Sequence, residues 1–89
     1  MLIMLLDNLP RQVSPFLAKN ADSIQIVLLQ AGVYAAGDLL NAFPKVHVYA
    51  IENDWNAAGL EAIKGVTLIN YDTWVELCAK RKPVVTIQN

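Results

Sequence analysis

Short, almost continuously apolar runs alternate along this chain with segments of helical spacing, and this alternation constrains the fold more than any other feature. A polar residue follows each run. Strands that are apolar at nearly every position are covered on both faces, which is typical of parallel sheets. Alternation with helices therefore predicts a parallel α/β sheet. The predicted strands cover residues 2–6, 24–29, 46–51, 66–69 and 84–87.

The first two predicted helices follow the first two strands. Ser14 followed by Pro15 is typical of a helix start, because serine caps the first turn and proline fits into it. The second helix is expected over residues 33–42, where apolar side chains recur at helical spacing. The junction before it contains Gly32, and such strand-to-helix junctions often bind anions. Neither a GxGxxG nor a Walker motif is present, so we expect Gly32 to supply an unusual backbone angle.

Two further helices are expected in the second half of the chain. Asp54 is predicted to cap a short helix, with another helical turn over residues 60–64. Thr73 and Glu76 have capping-box spacing and predict a helix over residues 73–80. The expected fold is a single α/β domain over residues 1–89, with a central, mostly parallel four- or five-stranded sheet and helices on both faces.

The composition indicates that another protein covers part of the surface. The chain of 89 residues is 55% hydrophobic and 17% charged, whereas soluble domains contain roughly 25% charged residues. So small a chain has too much surface to hide that many apolar side chains, and we expect a homo- or hetero-oligomer. A net charge of −1 does not indicate a nucleic-acid interface. We expect neither a signal peptide nor a membrane span.

Cys78 is the only cysteine, which leaves no internal disulfide and fits a reducing cytoplasm. Helical spacing sets it on an apolar face with Trp74 and Val75. The nearby helix C-terminus disfavours a thiolate. We expect a structural or interface role, and the alternative is a Cys78 that carries sulfur.

Asp7, Glu52 and Asp54 follow the first and third predicted strands, at the edge where doubly wound sheets bind ligands. An acidic metal pocket is one interpretation, but the simpler one, which we expect, is that Asp7 and Asp54 are turn and cap residues. His47 is expected to pack against a helix or a partner. Residues 80–82 are expected to form a solvated, basic helix end. The residues alone therefore indicate no catalytic group, cofactor or metal ion.

Three segments carry a family pattern in the same order along the chain. Residues 28–36, LLQAGVYAA, correspond to a strand that ends in Gln-Asp/Asn-Gly-Val before an alanine-rich helix. Residues 45–59, KVHVYAIENDWNAAG, correspond to Lys-Val-Tyr-Ala, an acidic position and a small-Arg-Gly turn. Residues 68–71, LINY, are followed by the helix start WVEL. Over about two thirds of its length the chain thus resembles the DsrH/TusB family of sulfur-relay proteins.

The resemblance implies a DsrEFH-like fold and assembly with related DsrE/DsrF-like (TusD/TusC-like) subunits, commonly two copies of each of three chains. Such complexes pass persulfide sulfur between proteins, toward a DsrC/TusE-like acceptor. In the branch that serves tRNA, the sulfur-carrying cysteine belongs to a sister subunit. Ala31 and Ala58 stand where relatives carry Asp/Asn and arginine, and residues 14–17 lack the cysteine of some relatives. No role of those side chains transfers to this chain.

From the resemblance we expect a non-catalytic subunit of a cytoplasmic sulfur-relay complex that supports 2-thiolation of the tRNA wobble uridine. One alternative is a DsrH-like subunit in dissimilatory sulfur metabolism. A second is a stand-alone persulfide carrier that uses Cys78, and a third is a small-ligand module that uses Gly32 with Asp7 and Glu52. Direct tRNA binding is not expected, and the chain alone could form a homo-oligomer.

Overall fold

The computed structural model describes residues 1–10 and 13–88, and all five predicted strands are confirmed there to within one residue at each end. Short 3₁₀ helices cover Ala21–Ser23 and Gln30–Ala35. The other elements are β1 (Leu2–Leu5), α1 (Ser14–Asn20), β2 (Gln25–Leu28), α2 (Ala36–Ala42), β3 (His47–Ile51), α3 (Glu52–Ala57), β4 (Val66–Ile69), α4 (Tyr71–Lys80) and β5 (Val84–Ile87).

The five strands form one sheet in the order β4-β3-β2-β1-β5, and every neighbouring pair is parallel. Parallel crossovers are right-handed in nearly all proteins. The first three crossovers step in one direction along the sheet, so α1, α2 and α3 lie on the same face. The fourth returns from β4 past β1 to β5, so α4 lies on the opposite face. The prediction of helices on both faces is therefore confirmed.

The face that carries α1, α2 and α3, here called the three-helix face, holds the larger part of the core. Leu17 of α1, Leu39 of α2 and Trp55 of α3 are almost fully buried in one apolar cluster. They pack with alternate strand residues such as Ile3 and Ile26. Burying a side chain of this size stabilises the fold by roughly 1.5–3 kcal/mol.

The opposite face, here called the one-helix face, is covered less completely. Trp74, Leu77 and Cys78 of α4 pack on a smaller cluster built around Leu2 and Val27. No residue of α4 is itself fully buried. One ten-residue helix on a five-stranded sheet leaves part of the apolar surface accessible.

Two predicted helix starts are wrong in detail. The residue at the N-cap position of α1 is Val13, without a side-chain hydrogen bond, and Ser14 lies inside the first turn. Helix α4 begins earlier than predicted, because the Thr73 N–H donates to Asn70 Oδ1 at 2.8 Å. Asn70 is therefore the cap, and Thr73 is the residue that it caps.

Two predicted helical segments also differ from the structure. Residues 60–64 form no helical turn. They lie between Gly59 and Gly65, and both of these glycines have positive φ. Leu60 and Ile63 instead pack against the core from an irregular segment. The start of the second helix, including Val33, is a 3₁₀ helix that continues into α2. In the described part of the chain the longest helix has ten residues, and crossing a membrane takes about 20.

Candidate functional site

The junction between β2 and α2 lies at the carboxyl edge of the sheet, where α/β proteins bind their ligands. Gln30 has a φ of 52°, the left-handed conformation, and it turns the chain out of the strand. Its N–H donates to Asp54 Oδ2 at 2.7 Å, so this N–H is bonded to the carboxylate of the neighbouring helix α3 and does not face a ligand. The prediction that Asp54 caps α3 is wrong, because the residue lies inside the helix and Ile51 occupies the N-cap position. Asp54 instead links α3 to this junction.

Gly32 occupies a position where no side chain fits. A Cβ at residue 32 would lie 2.7 Å from the carbonyl carbon of Leu5 and even closer to its oxygen. The predicted reason for this glycine, an unusual backbone angle, is wrong, because the left-handed residue of the junction is Gln30. The Gly32 N–H also donates to Leu29 O at 3.0 Å, so this N–H does not face a ligand.

The carboxylates at this edge do not converge. Asp7 accepts a hydrogen bond from the Asn8 N–H at 2.8 Å, as expected of a turn residue. Glu52 is exposed in the first turn of α3. Among residues 1–10 and 13–88, no group of three or more histidine, cysteine, aspartate or glutamate side chains is placed to hold a metal ion. The acidic metal pocket considered from the sequence is therefore not formed by these residues.

Tyr34 separates two surface depressions near the same edge, and sequence reasoning did not single it out. One depression, of about 350 Å³, has an apolar floor that includes Leu39 and Phe43, and its rim includes Ser14 and Asp38. The other, of about 310 Å³, lies between Tyr34 and the Gln30–Asp54 link. Tyr34 is 63% exposed. In the sequence, Tyr34 stands out only because it occupies the position of the second glycine in a GxGxxG motif.

Cys78 lies far along α4, with its side chain packed in the apolar cluster of the one-helix face. Trp74 shares this cluster as predicted, but Val75 points away and is 63% exposed. Within the described residues, the Cys78 thiol makes no hydrogen bond. No hydrogen-bonded base among residues 1–10 and 13–88 therefore activates it.

The remaining predicted residues lie at the opposite, amino-terminal end of the sheet. His47 is the exposed first residue of β3. Lys80 ends α4, and Arg81 and Lys82 follow it in the exposed connection to β5. The basic cluster is a solvated helix end, as expected.

Large apolar side chains are exposed in several places, and two of them lie on one helix. Tyr71 is 48% exposed and Val75 is 63% exposed, four residues apart on the outer side of α4. Residues four apart are neighbours on a helix surface. Asp72 and Glu76 are exposed beside them. Tyr71 and Val75 are here called the outer stripe of α4.

A family model described as "DsrH like protein" matches residues 11–84. No curated protein matches the chain. Several solved structures are similar to it, among them the following two. The YchN protein from E. coli has a TM-score of 0.73 at 13% identity, over 97% of this chain and 97% of that chain. The protein Tm0979 from Thermotoga maritima has a TM-score of 0.63 at 26% identity, over 93% of this chain and 97% of that chain.

Proposed function

Because the chain belongs to the DsrH-like family, whose members act in sulfur relay with DsrE/DsrF-like partners, we propose that it is a non-catalytic subunit of a cytoplasmic sulfur-relay complex. In this proposal residues 1–89 are a single domain that assembles with TusD/TusC-like subunits. The complex passes sulfur to a DsrC/TusE-like acceptor and supports 2-thiolation of the tRNA wobble uridine. The family match over residues 11–84 is the observation that carries the proposal.

The position of Cys78 supports a subunit that does not carry the sulfur itself. Sulfur moves between proteins when a thiolate attacks the outer sulfur of a persulfide, which requires access to the thiol. Cys78 is the only thiol of the chain, and it is partly buried between α4 and the sheet beside Trp74 and Leu77, which restricts access to it. In the proposed complex the sulfur-carrying cysteine therefore belongs to a partner.

The outer stripe of α4 is the proposed contact with a DsrE/DsrF-like partner. Tyr71 and Val75 expose apolar surface along the first half of this helix, and Asp72 and Glu76 border it with charge. An apolar centre with a polar rim is typical of protein–protein interfaces, and tyrosine is enriched there.

A reconstitution experiment tests the assembly. The purified chain is mixed with its DsrE-like and DsrF-like subunits and passed over a sizing column with light-scattering detection. We expect co-elution, and we expect Val75→Asp to weaken the affinity at least about tenfold, which corresponds to 1.4 kcal/mol. Ala18→Asp, a matched charge on the exposed surface of α1, is the control and should not change the affinity. Failure of the unaltered chain to co-elute with any such partner contradicts the proposal.

Intact-mass measurement separates this role from that of a persulfide carrier. After incubation with a sulfur donor, the folded chain should show no gain of one sulfur atom. A gain that disappears in Cys78→Ser would assign the carrier role to Cys78. The tRNA branch is tested in cells: loss of the chain should lower 2-thiouridine in tRNA. An unchanged level would contradict that branch.

A further inference from the structure

Strand β5 has an open edge. It pairs only with β1 among the described residues. The Leu2 N–H donates to Pro83 O at 3.0 Å and the Leu6 N–H donates to Ile87 O at 3.1 Å, so these carbonyls face β1. Backbone groups alternate in direction along a strand. The N–H and C=O groups of Val84 and Thr86 therefore point outward, away from the sheet.

The side chains of β5 do nothing to protect this edge. All four residues of the strand are uncharged, whereas proteins usually shield open edges with charged side chains, bulges or covering segments. A groove of about 350 Å³ runs beside β5 on the three-helix face, and Phe16 and Val85, which line it, are 41% and 40% exposed. Its complete lining is apolar: Met1, Ile3, Val13, Phe16, Val85 and Ile87.

The two ends of this edge carry opposite charges. Arg81 and Lys82, both exposed, precede β5 at its amino end. Asp7 lies at the other end, because it follows Leu6, whose N–H bonds to the last residue of β5. An edge that is positive at one end and negative at the other complements a second copy of itself in the antiparallel direction.

We propose that β5 pairs antiparallel with β5 of a second copy, about a two-fold axis through Val85. Val84 of each copy then lies opposite Thr86 of the other, and the outward N–H and C=O groups form two doubly bonded pairs. The two sheets join into one continuous sheet. Val85 meets its equivalent on the axis, where non-bonded pairs approach most closely.

The same arrangement accounts for the groove and for the charges. A two-fold axis perpendicular to the sheet keeps both three-helix faces on one side, so the two α1 helices flank the shared strands. Phe16 of each copy then covers the grooves beside the axis. Arg81 of each copy lies at the same end of the joined sheet as Asp7 of the other, two strand spacings or about 10 Å away between backbones, which is within reach of the long arginine side chain. An isologous interface requires a surface that is complementary to itself. Because the edge of β5 is self-complementary in shape and charge, we favour a second copy over an unrelated strand as its partner.

Sedimentation of the purified chain alone tests the pairing. The unaltered chain should sediment as a dimer at micromolar concentration. Val85→Lys sets two like charges together on the axis and should raise the dissociation constant about 100-fold. Leu68→Lys, on the opposite edge strand β4 and 37% exposed, is the matched control and should leave the dimer intact. Circular dichroism of each variant verifies that the fold is retained.

A charge exchange gives a second test that leaves the strand unaltered. Arg81→Asp and Asp7→Arg should each weaken the dimer several-fold, and the double variant should restore it, because the two charges meet only across the axis. A monomeric unaltered chain overturns the inference, and so does a dimer that Leu68→Lys abolishes while Val85→Lys does not. The inference does not rest on the sulfur-relay role, because these measurements contain no partner subunit and no sulfur donor.

Discussion

Replacing Gly32 with alanine tests the close approach of the β2–α2 junction to β1. The new methyl carbon would lie 2.7 Å from the carbonyl carbon of Leu5, well inside van der Waals contact. Both neighbours are backbone, and Leu5 is held by strand pairing on both sides, between β2 and β5. Neither segment can rotate away as a flexible side chain would. Relief requires the junction to move, which also disturbs the bond from the Gly32 N–H to Leu29 O.

The expected loss of stability follows from these contacts. Inserting a methyl group into a filled core costs about 1–3 kcal/mol, and more where the backbone must move. We expect at least about 3 kcal/mol for Gly32→Ala, after a gain of less than 1 kcal/mol from the stiffer unfolded chain. For a domain of this size 1 kcal/mol corresponds to about 4–8 °C, so the melting temperature should fall by about 12 °C or more.

Urea unfolding followed by tryptophan fluorescence measures the effect, because Trp55 is almost fully buried. Protein concentration is held constant, since any self-association adds to the apparent stability. Gly37→Ala is the matched control: this glycine lies within α2, and its added methyl group would meet nothing within 4 Å. It should stabilise the chain by about 0.5–1 kcal/mol. If Gly32→Ala unfolds within 0.5 kcal/mol of the unaltered chain, the steric explanation is wrong.

Two further substitutions test individual hydrogen bonds. Asp54→Asn weakens the charge-assisted bond from the Gln30 N–H and should lower the free energy of unfolding in urea by about 1–2 kcal/mol. The control Glu52→Gln, at an exposed position, should leave it unchanged. An equal loss of stability in both variants would refute a specific link between Asp54 and Gln30. Asn70→Ala removes the cap of α4 and should cost about 1 kcal/mol. Thr73→Ala should lower stability clearly less, because the Thr73 side chain does not cap the helix. A larger loss of stability for Thr73→Ala than for Asn70→Ala would show that Thr73 is the cap.

The strands and their parallel arrangement were predictable because their signal is local. A run of apolar residues ended by a polar one marks each strand, and the alternation with helices favours a parallel sheet. The position of β5 beside β1 was not predictable from these runs. Strand order depends on contacts between residues far apart in sequence, such as those that pair β1 with β5.

The helix starts show where local signals compete. Asn70 and Thr73 are both good capping residues, three positions apart, and the sequence alone favoured the capping box at Thr73. The structure uses Asn70, so α4 gains its first turn from Tyr71 onward. Residues 60–64 have helical spacing, but positive φ at Gly59 and Gly65 sets the chain direction at both ends of this segment.

The candidate site was the least predictable part, because its contacts join residues that are distant in sequence. Nothing near Gly32 reveals that the carbonyl of Leu5 lies against it. Likewise, the bond between Gln30 and Asp54 spans 24 residues. From the sequence, Asp54 was a candidate metal ligand. In the structure its carboxylate accepts a hydrogen bond from the backbone N–H of Gln30.

The placement of β1 between β2 and β5 has a consequence for the chain during its synthesis. β1 can pair with β2 soon after both are synthesised, but its other partner, β5, follows the other four strands in chain order. Until then the outer edge of β1, one of the most apolar segments of the chain, stays open to other nascent chains. Such unpaired edges are where folding intermediates aggregate. The time between the synthesis of β1 and the synthesis of β5 therefore sets how long this edge is exposed to aggregation.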